Sequence, residues 1–455
     1  MKKIICLLLI LSFTLPLISC GKAKVFINGV NIKNYSIVYS DDDLDYSKRA
    51  AEYIQEMIYE KTKHKLALVE DSEKSKTKNE IVVGNTERQI SKDLDAKTEG
   101  LEFAIMANDT SIALEGDYFI IAAAAYFFVE TYIPGGNHKA EVPKEVMIHT
   151  PIVKEANNYI LLIGDGMGEY QTKMFEYLTN DRDFSDGEDV FYGYLLPYFG
   201  YSITTSLTGT TDSAAGGTAL ACGTKTYNEV IGQDKDGNDL KNLTELALEI
   251  GKNAGVMSTE VNKGATPSTF SAHTDDRDND KEIIGWQQDA MKNGLVLDCG
   301  FNNSFNQRYI KNMEEEHIAK VLAKLEENDK GFFLMYEEAY IDKHCDDNDI
   351  EKSFNAMIRF NQAIGRFMEY AFYNPDTMVI ITADHETGGL HDENGSLVFS
   401  TTDHTGVNVP VFAYGKGAEV FDGKTFENIQ IGQTIAAYMG EENFGDQSVY
   451  KALTK

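Results

Sequence analysis

The sequence predicts an α/β protein: a central, mostly parallel sheet covered by helices on both faces, preceded by a smaller α/β unit. Three observations predict it. Tyr159–Ile163, Ala254–Ser258, Gly331–Met335 and Thr377–Ile381 are near-continuous apolar runs, as strands buried on both faces should be. Helical spacing fills the intervals at Leu243–Ile250, His317–Glu327 and Ile350–Tyr373, and such alternation argues for parallel strands with crossover helices. Chemically active side chains gather just after the apolar runs, where open α/β sheets bind their ligands.

The N-terminus is of another kind. Lys2 and Lys3 precede an apolar run from Ile4 to Ile18 that is short for a membrane span and shaped like a secretory signal. It ends Leu17-Ile18-Ser19-Cys20-Gly21, which resembles a bacterial lipobox. Residues 1–20 are therefore expected to be a lipoprotein signal, with Cys20 lipidated as the first mature residue. The expected product is exported and tethered to the cell envelope on its periplasmic or extracellular side. Of the other cysteines, Cys6 falls within the signal, while Cys222, Cys299 and Cys345 form no disulfide framework or zinc-ribbon spacing. Buried free thiols are expected at Cys222 and Cys299.

The composition of the whole 455-residue chain narrows the class. At about 150 residues per domain, two to three domains are expected. Lys and Arg total 42 against 72 Asp and Glu, a net charge of −30 that repels phosphate backbones and excludes general nucleic-acid binding. With 42% hydrophobic and 11% aromatic residues, the chain can bury a large core and is not disordered.

Residues 24–153 read as the small accessory unit. Ser36–Tyr39, Leu66–Val69 and Glu80–Gly84 have strand character, and Ser47–Thr62 has helical spacing. Phe103–Met106 and Ser111–Leu114 flank Asn108-Asp109 as a hairpin, and Tyr118–Val129 is an Ala-rich apolar helix. Nothing here is spaced like a metal site. The unit is similar in pattern to the small α/β domain before the catalytic barrel of some glycoside hydrolases, and reads as a spacer or binding module.

Residues 157–455 carry the chemistry. Asp165 follows the first apolar run, Glu337 follows Phe332–Tyr336 with Asp342 five residues on, Asp384-His385 follows Thr377–Thr382, and His404 precedes Val409–Ala413. A single Asp after a strand is an ordinary cap or turn residue, but four carboxylates and two histidines at successive strand ends make a plausible multi-metal site. Ser213, in Thr211-Asp212-Ser213-Ala214-Ala215-Gly216-Gly217, is either a nucleophile at a helix N-terminus or merely its N-cap. Arg277 by itself reads as a surface ion pair with Asp275 or Asp280.

Taken together, ILLIGDGMG (Ile160–Gly168), TDSAAGGTA (Thr211–Ala219), TADHETGG (Thr382–Gly389) and His404-Thr405-Gly406 resemble, in order, the motifs of the alkaline phosphatase family. The resemblance covers roughly Asn158 to Met439. It implies a phosphomonoesterase with two zinc ions and one magnesium, acting on small phosphate esters through a phosphoserine. It implies that Ser213 is the nucleophile and Arg277 the phosphate-binding arginine. Asp165, Asp384 and His385 would bind one zinc, Asp342 and His404 the other, and Asp165, Glu337 and Thr266 the magnesium.

Two departures stand out. The family's second histidine at the Asp342 zinc falls four residues on, where this chain has Asp346, while His344 lies two residues on. If the segment is helical, Asp346 shares a face with Asp342; if extended, His344 does. The family spacing favours Asp346. The stretch from Arg277 to Glu337 is also short, and with it go the segments that would give an oligomeric state. Tyr336 and Tyr340 are candidates to line the opening, with packing the other reading for Tyr336. Rival readings are phosphodiester or phosphonate hydrolysis on the same fold, against which Glu337 argues, and a phosphate- or metal-binding surface protein whose catalysis has decayed at Asp346.

Overall fold

The computed structural model describes residues 23–42, 44–75, 77–94, 96–178, 190–300 and 313–454. The expected signal segment, including Cys20, lies outside the described residues. Among those described, no helix is long and apolar enough to cross a membrane.

The larger sheet has eight strands, in the order Val296–Cys299, Asn253–Ser258, Phe332–Glu338, Asn158–Gly164, Thr377–Thr382, Val409–Tyr414, Tyr198–Ile203 and Thr425–Glu427. The first five are mutually parallel, and Val409–Tyr414 runs antiparallel to both its neighbours. The fold class expected from the apolar runs is the one observed. Alternate residues of the Asn158–Gly164 strand serve the two faces, as the pleat requires. Tyr159, Leu161 and Ile163 join the core formed with Leu220, Leu246 and Ile435, whereas Ile160 and Leu162 pack with the core that holds Phe360, Ile364 and Phe367. The latter three belong to a long helix, Ile350–Tyr373, whose apolar stripe is the strongest helical signal in the sequence.

The smaller sheet has six strands, ordered Ala67–Glu70, Tyr35–Tyr39, Asn79–Val83, Ser111–Glu115, Phe103–Ala107 and Met147–His149. The hairpin around Asn108-Asp109 is present as an antiparallel pair. The Tyr118–Val129 segment begins as a 3-10 turn, Tyr118–Ile120, and continues as an α-helix to Tyr132. The Gln89–Leu94 helix, the edge strand Met147–His149, and a separate three-stranded sheet that pairs Val25–Ile27 with Val30–Asn31 and His138–Ala140 were not anticipated, because each is too short to show a period.

The two sheets share one of their cores. One hydrophobic cluster runs from Ile37, Ile54 and Phe119 of the smaller unit into Phe354, Phe367 and Phe372 of the long helix. Tyr53 stacks on Tyr373 at 4.1 Å between ring centroids, and Phe119 stacks on Phe372 at 5.7 Å. The buried Glu369 carboxylate accepts Arg49 Nε at 2.9 and 3.0 Å and Arg366 Nη1 at 3.0 Å. The smaller unit is therefore built onto the back of the long helix.

Candidate active site

The carboxyl ends of the three central strands converge on one place, and each brings an acid. Asp165 follows Asn158–Gly164, Glu337 is the penultimate residue of Phe332–Glu338, and Asp384 lies two residues beyond Thr377–Thr382. Glu337 thus lies within its strand, paired in register with Ser258 and Ile163, and not after it. Glycine makes the convergence possible at Gly166. Its φ is +75°, and a Cβ there would lie 2.8 Å from the Asp342 Cα and 2.9 Å from Thr387 Oγ1.

Two groups of side chains could each hold a metal ion: Asp165, Asp384 and His385, and Asp342, His385 and His404, with ligand atoms in each group mutually within 4.8 Å. His385 Nε2 is 3.3 Å from both Asp165 Oδ1 and Asp384 Oδ2, and His404 Nε2 is 3.5 Å from Asp342 Oδ1. The two imidazoles stack at 3.6 Å between centroids. His404 is oriented by its other nitrogen, Nδ1, 2.9 Å from the Thr211 carbonyl. Thr387, which sequence reasoning passed over, donates its hydroxyl to Asp342 Oδ1 and lies 3.1 Å from His385 Nδ1.

The donor set fits cations. Among the described residues, Asp165 Oδ1, Glu337 Oε1, Asp384 Oδ2 and Thr266 Oγ1 are buried without a hydrogen-bond partner, and buried polar atoms are seldom left so. Burial, then the charges of Asp384, Asp342 and Glu337, pushes the Asp165 carboxyl far above its ordinary range. Burial and Glu260 do the same to Glu337, and burial and Asp342 to Asp384, while burial and His404 push His385 far down. Such crowding of acids is costly unless positive charge is shared among them. Glu337 and Thr266 fall outside both groups above, although each is fully buried.

Ser213 opens the Ser213–Cys222 helix, and its Oγ is 3.1 Å from His385 Nε2. The cap is not Ser213 but Asp212, whose Oδ1 accepts the Ala215 N–H at 2.9 Å. The serine hydroxyl is thereby spared for the site. Gly216 explains the small residues that follow, since a Cβ there would lie 2.8 Å from the Asp384 carbonyl. Arg277 pairs with neither Asp275 nor Asp280: its Nη1 donates to Asp212 Oδ2 at 3.1 Å, and a third of its side chain stays exposed. Asp212 therefore orients both the helix and the arginine.

The segment after Asp342 is helical, Tyr340–Asp346. Positions four apart therefore share a face, although Asp346 belongs to neither candidate group above; burial first, then Asp342, pushes its carboxyl up to about 6. His344 stacks on Tyr340 at 6.0 Å between ring centroids and is pushed down by burial and then by Arg359 and Lys352. Tyr336 lines no opening: it is fully buried against Phe360 and Phe367. Tyr340 is buried as well, and Cys299 is half-buried where burial was expected.

Comparison with known proteins gives one consistent result. The alkaline phosphatase family model matches residues 156–313 and 310–402. Alkaline phosphatase 4 of Bacillus subtilis is 30% identical over 294 residues, and alkaline phosphatase 3 of the same organism 32% over 286; each match covers 52% of this chain and 62% of the relative. The chain thus spans less than two thirds of the length of these relatives. Alkaline phosphatase from the Antarctic bacterium TAB5 superposes with a TM-score of 0.55 at 26% identity, covering 63% of this chain and 99% of that one. Variants of the TAB5 enzyme carry magnesium bound in their M3 site.

Proposed function

This chain belongs to the alkaline phosphatase family, and we propose that it hydrolyses small phosphate monoesters through a phosphoserine formed on Ser213. The observation that carries the proposal is the Ser213 hydroxyl at 3.1 Å from His385 Nε2, at a helix N-terminus beside both candidate metal groups. Asp165, Asp384 and His385 would hold one zinc, Asp342, Asp346 and His404 the other, and Asp165, Glu337 and Thr266 a magnesium. Bound there, the cations would supply Lewis-acid charge to the attacking and leaving oxygens.

The chain's own residues do the rest. Asp212 caps the helix and so leaves the Ser213 Oγ directed at the site. The N-terminal end of that helix favours the anionic phosphoryl group. Arg277 offers its planar fork to two non-bridging oxygens while Asp212 holds it from behind. Thr387 and the Thr211 carbonyl fix the rings of His385 and His404, so little reorganisation is needed when substrate arrives. Ser213 attacks phosphorus, the ester oxygen leaves with a proton, and water then releases phosphate from the serine.

The test is turnover of a chromogenic aryl phosphate by chelator-treated protein, with and without zinc and magnesium, beside the corresponding diester. Restoration of monoester turnover by the metals supports the reading. Preference for the diester, or no turnover at all, would overturn it.

Two variants probe individual roles. Arg277→Ala is expected to weaken inhibition by inorganic phosphate roughly tenfold to a hundredfold, the worth of a charge-assisted hydrogen bond or two. Unchanged phosphate inhibition would mean that Arg277 serves only Asp212. Asp346→His is expected to raise zinc affinity about tenfold, because imidazole suits zinc better than a second carboxylate does, while His344→Ala changes it little. Chelator competition measures both, and the opposite pattern would return the ligand role to His344.

Export and a lipid anchor at Cys20 are part of the same proposal. Cys20→Ala should move the protein from the membrane fraction to the soluble one. Persistence in the membrane fraction would refute the anchor.

A further inference from the structure

We propose that Glu338, held by Arg359, is a positioning residue that sets the helix bearing Asp342 against Asp165 and Glu337, an inference that rests on the metal-dependent reading above. Consecutive residues of a strand face opposite ways, and Glu337 and Glu338 divide accordingly. The Glu337 carboxylate accepts the Ser258 hydroxyl on the side of the site, while the Glu338 carboxylate faces the long helix, where Arg359 Nη2 donates to its Oε1 at 3.0 Å. Both members of this ion pair are buried, Glu338 at 0% and Arg359 at 3% exposure.

From that position the Glu338 side chain holds the start of the helix that bears Asp342. Its Oε1 accepts the Tyr340 N–H at 3.1 Å, which anchors the first turn of the helix bearing Asp342 and Asp346. The same oxygen accepts Thr259 Oγ1 at 3.5 Å, and Thr259 Oγ1 in turn accepts the Ala339 N–H at 3.0 Å. Its backbone carbonyl accepts the Asp165 N–H at 3.1 Å. Glu337 is its neighbour in the chain. The Glu338 side chain therefore fixes the start of the Asp342 helix, while its backbone joins that point to Asp165 and Glu337. Arg359 supplies the charge that lets a second fully buried carboxylate stand next to Glu337 without competing with it for a cation.

Arg359→Leu, Arg359→Lys and Glu338→Gln in the full chain test this. Magnesium and zinc binding to the chelator-treated proteins is measured by calorimetry, with thermal unfolding and near-UV circular dichroism to verify the fold. Arg359→Leu is expected to lose about tenfold to a hundredfold in metal affinity, the usual effect of losing a residue that supports a metal ligand. Arg359→Lys should retain part of it, since it keeps the charge without the planar fork. Glu338→Gln should bind metal less tightly than wild type, with kcat falling more than KM rises. If Arg359→Leu does not fold, the other two variants decide. Folded variants with lowered melting temperature but wild-type metal affinity would reduce the pair to a stability element and overturn the proposal. A wild-type chain that binds neither cation would sink the metal-dependent reading, and this inference with it.

Discussion

Ser213→Ala is expected to lower phosphate-ester turnover by a factor on the order of 10³ or more and to abolish phosphoenzyme, with the fold unchanged. The local structure makes the test clean. The helix is capped by Asp212 through the Ala215 N–H, so replacing Ser213 removes no cap. Ser213 is buried, and the change deletes a single oxygen at the first helical position, where alanine is well tolerated. Melting temperature and metal content should therefore match wild type. Acid quench after mixing with labelled substrate would reveal any covalent phosphate. A variant that keeps most of its turnover would falsify the assignment of Ser213 as nucleophile.

Deleting residues 24–153 is expected to leave an insoluble or unfolded product. The sequence suggests the opposite, since every candidate site residue follows Asn158. The shared core reverses that expectation. Removing the smaller unit uncovers Phe372 and Tyr373 on the long helix, each losing an aromatic partner, at about 2 kcal/mol per large apolar side chain. It also strips Arg49 from the buried Glu369 carboxylate, leaving only Arg366 from that ion pair network. Several such losses approach the whole stability of an ordinary domain. Expression yield and gel filtration of the truncated chain measure the outcome. A soluble, monodisperse product with monoester turnover would show that the larger sheet folds without its neighbour. If that holds, Ile350–Tyr373 must tolerate an exposed apolar face.

Much of the site was legible because its residues are tied to short local patterns. Asp165, Ser213, Asp384 and His385 each stand in a run of small residues beside a strand end or a helix start. Those runs have steric reasons that the coordinates make explicit, at Gly166 beneath Asp342 and at Gly216 against Asp384. Family spacing favoured Asp346 over His344, but the residues alone do not say whether the four positions after Asp342 coil or extend. Asp212, Thr387, Glu338 and Arg359 were missed as supporting residues. Their roles come from partners distant in the chain, such as Arg277 for Asp212 and Asp342 for Thr387.

The amino-acid sequence alone determined the α/β class, the mostly parallel larger sheet, the long amphipathic helix and the placing of polar candidates at the strand ends. These follow from periodicity and from polar residues at the ends of apolar runs, both of which are local properties of the chain. Only the tertiary structure decided that both sheets share the core around Ile350–Tyr373, that Arg277 answers to Asp212, and that the segment after Asp342 coils as a helix. Those outcomes depend on which apolar faces and which charges meet across long stretches of chain or around a single helical turn. A pattern of residue types records that a face must be buried or a charge compensated, but not by what. The partner is chosen only when the whole chain packs.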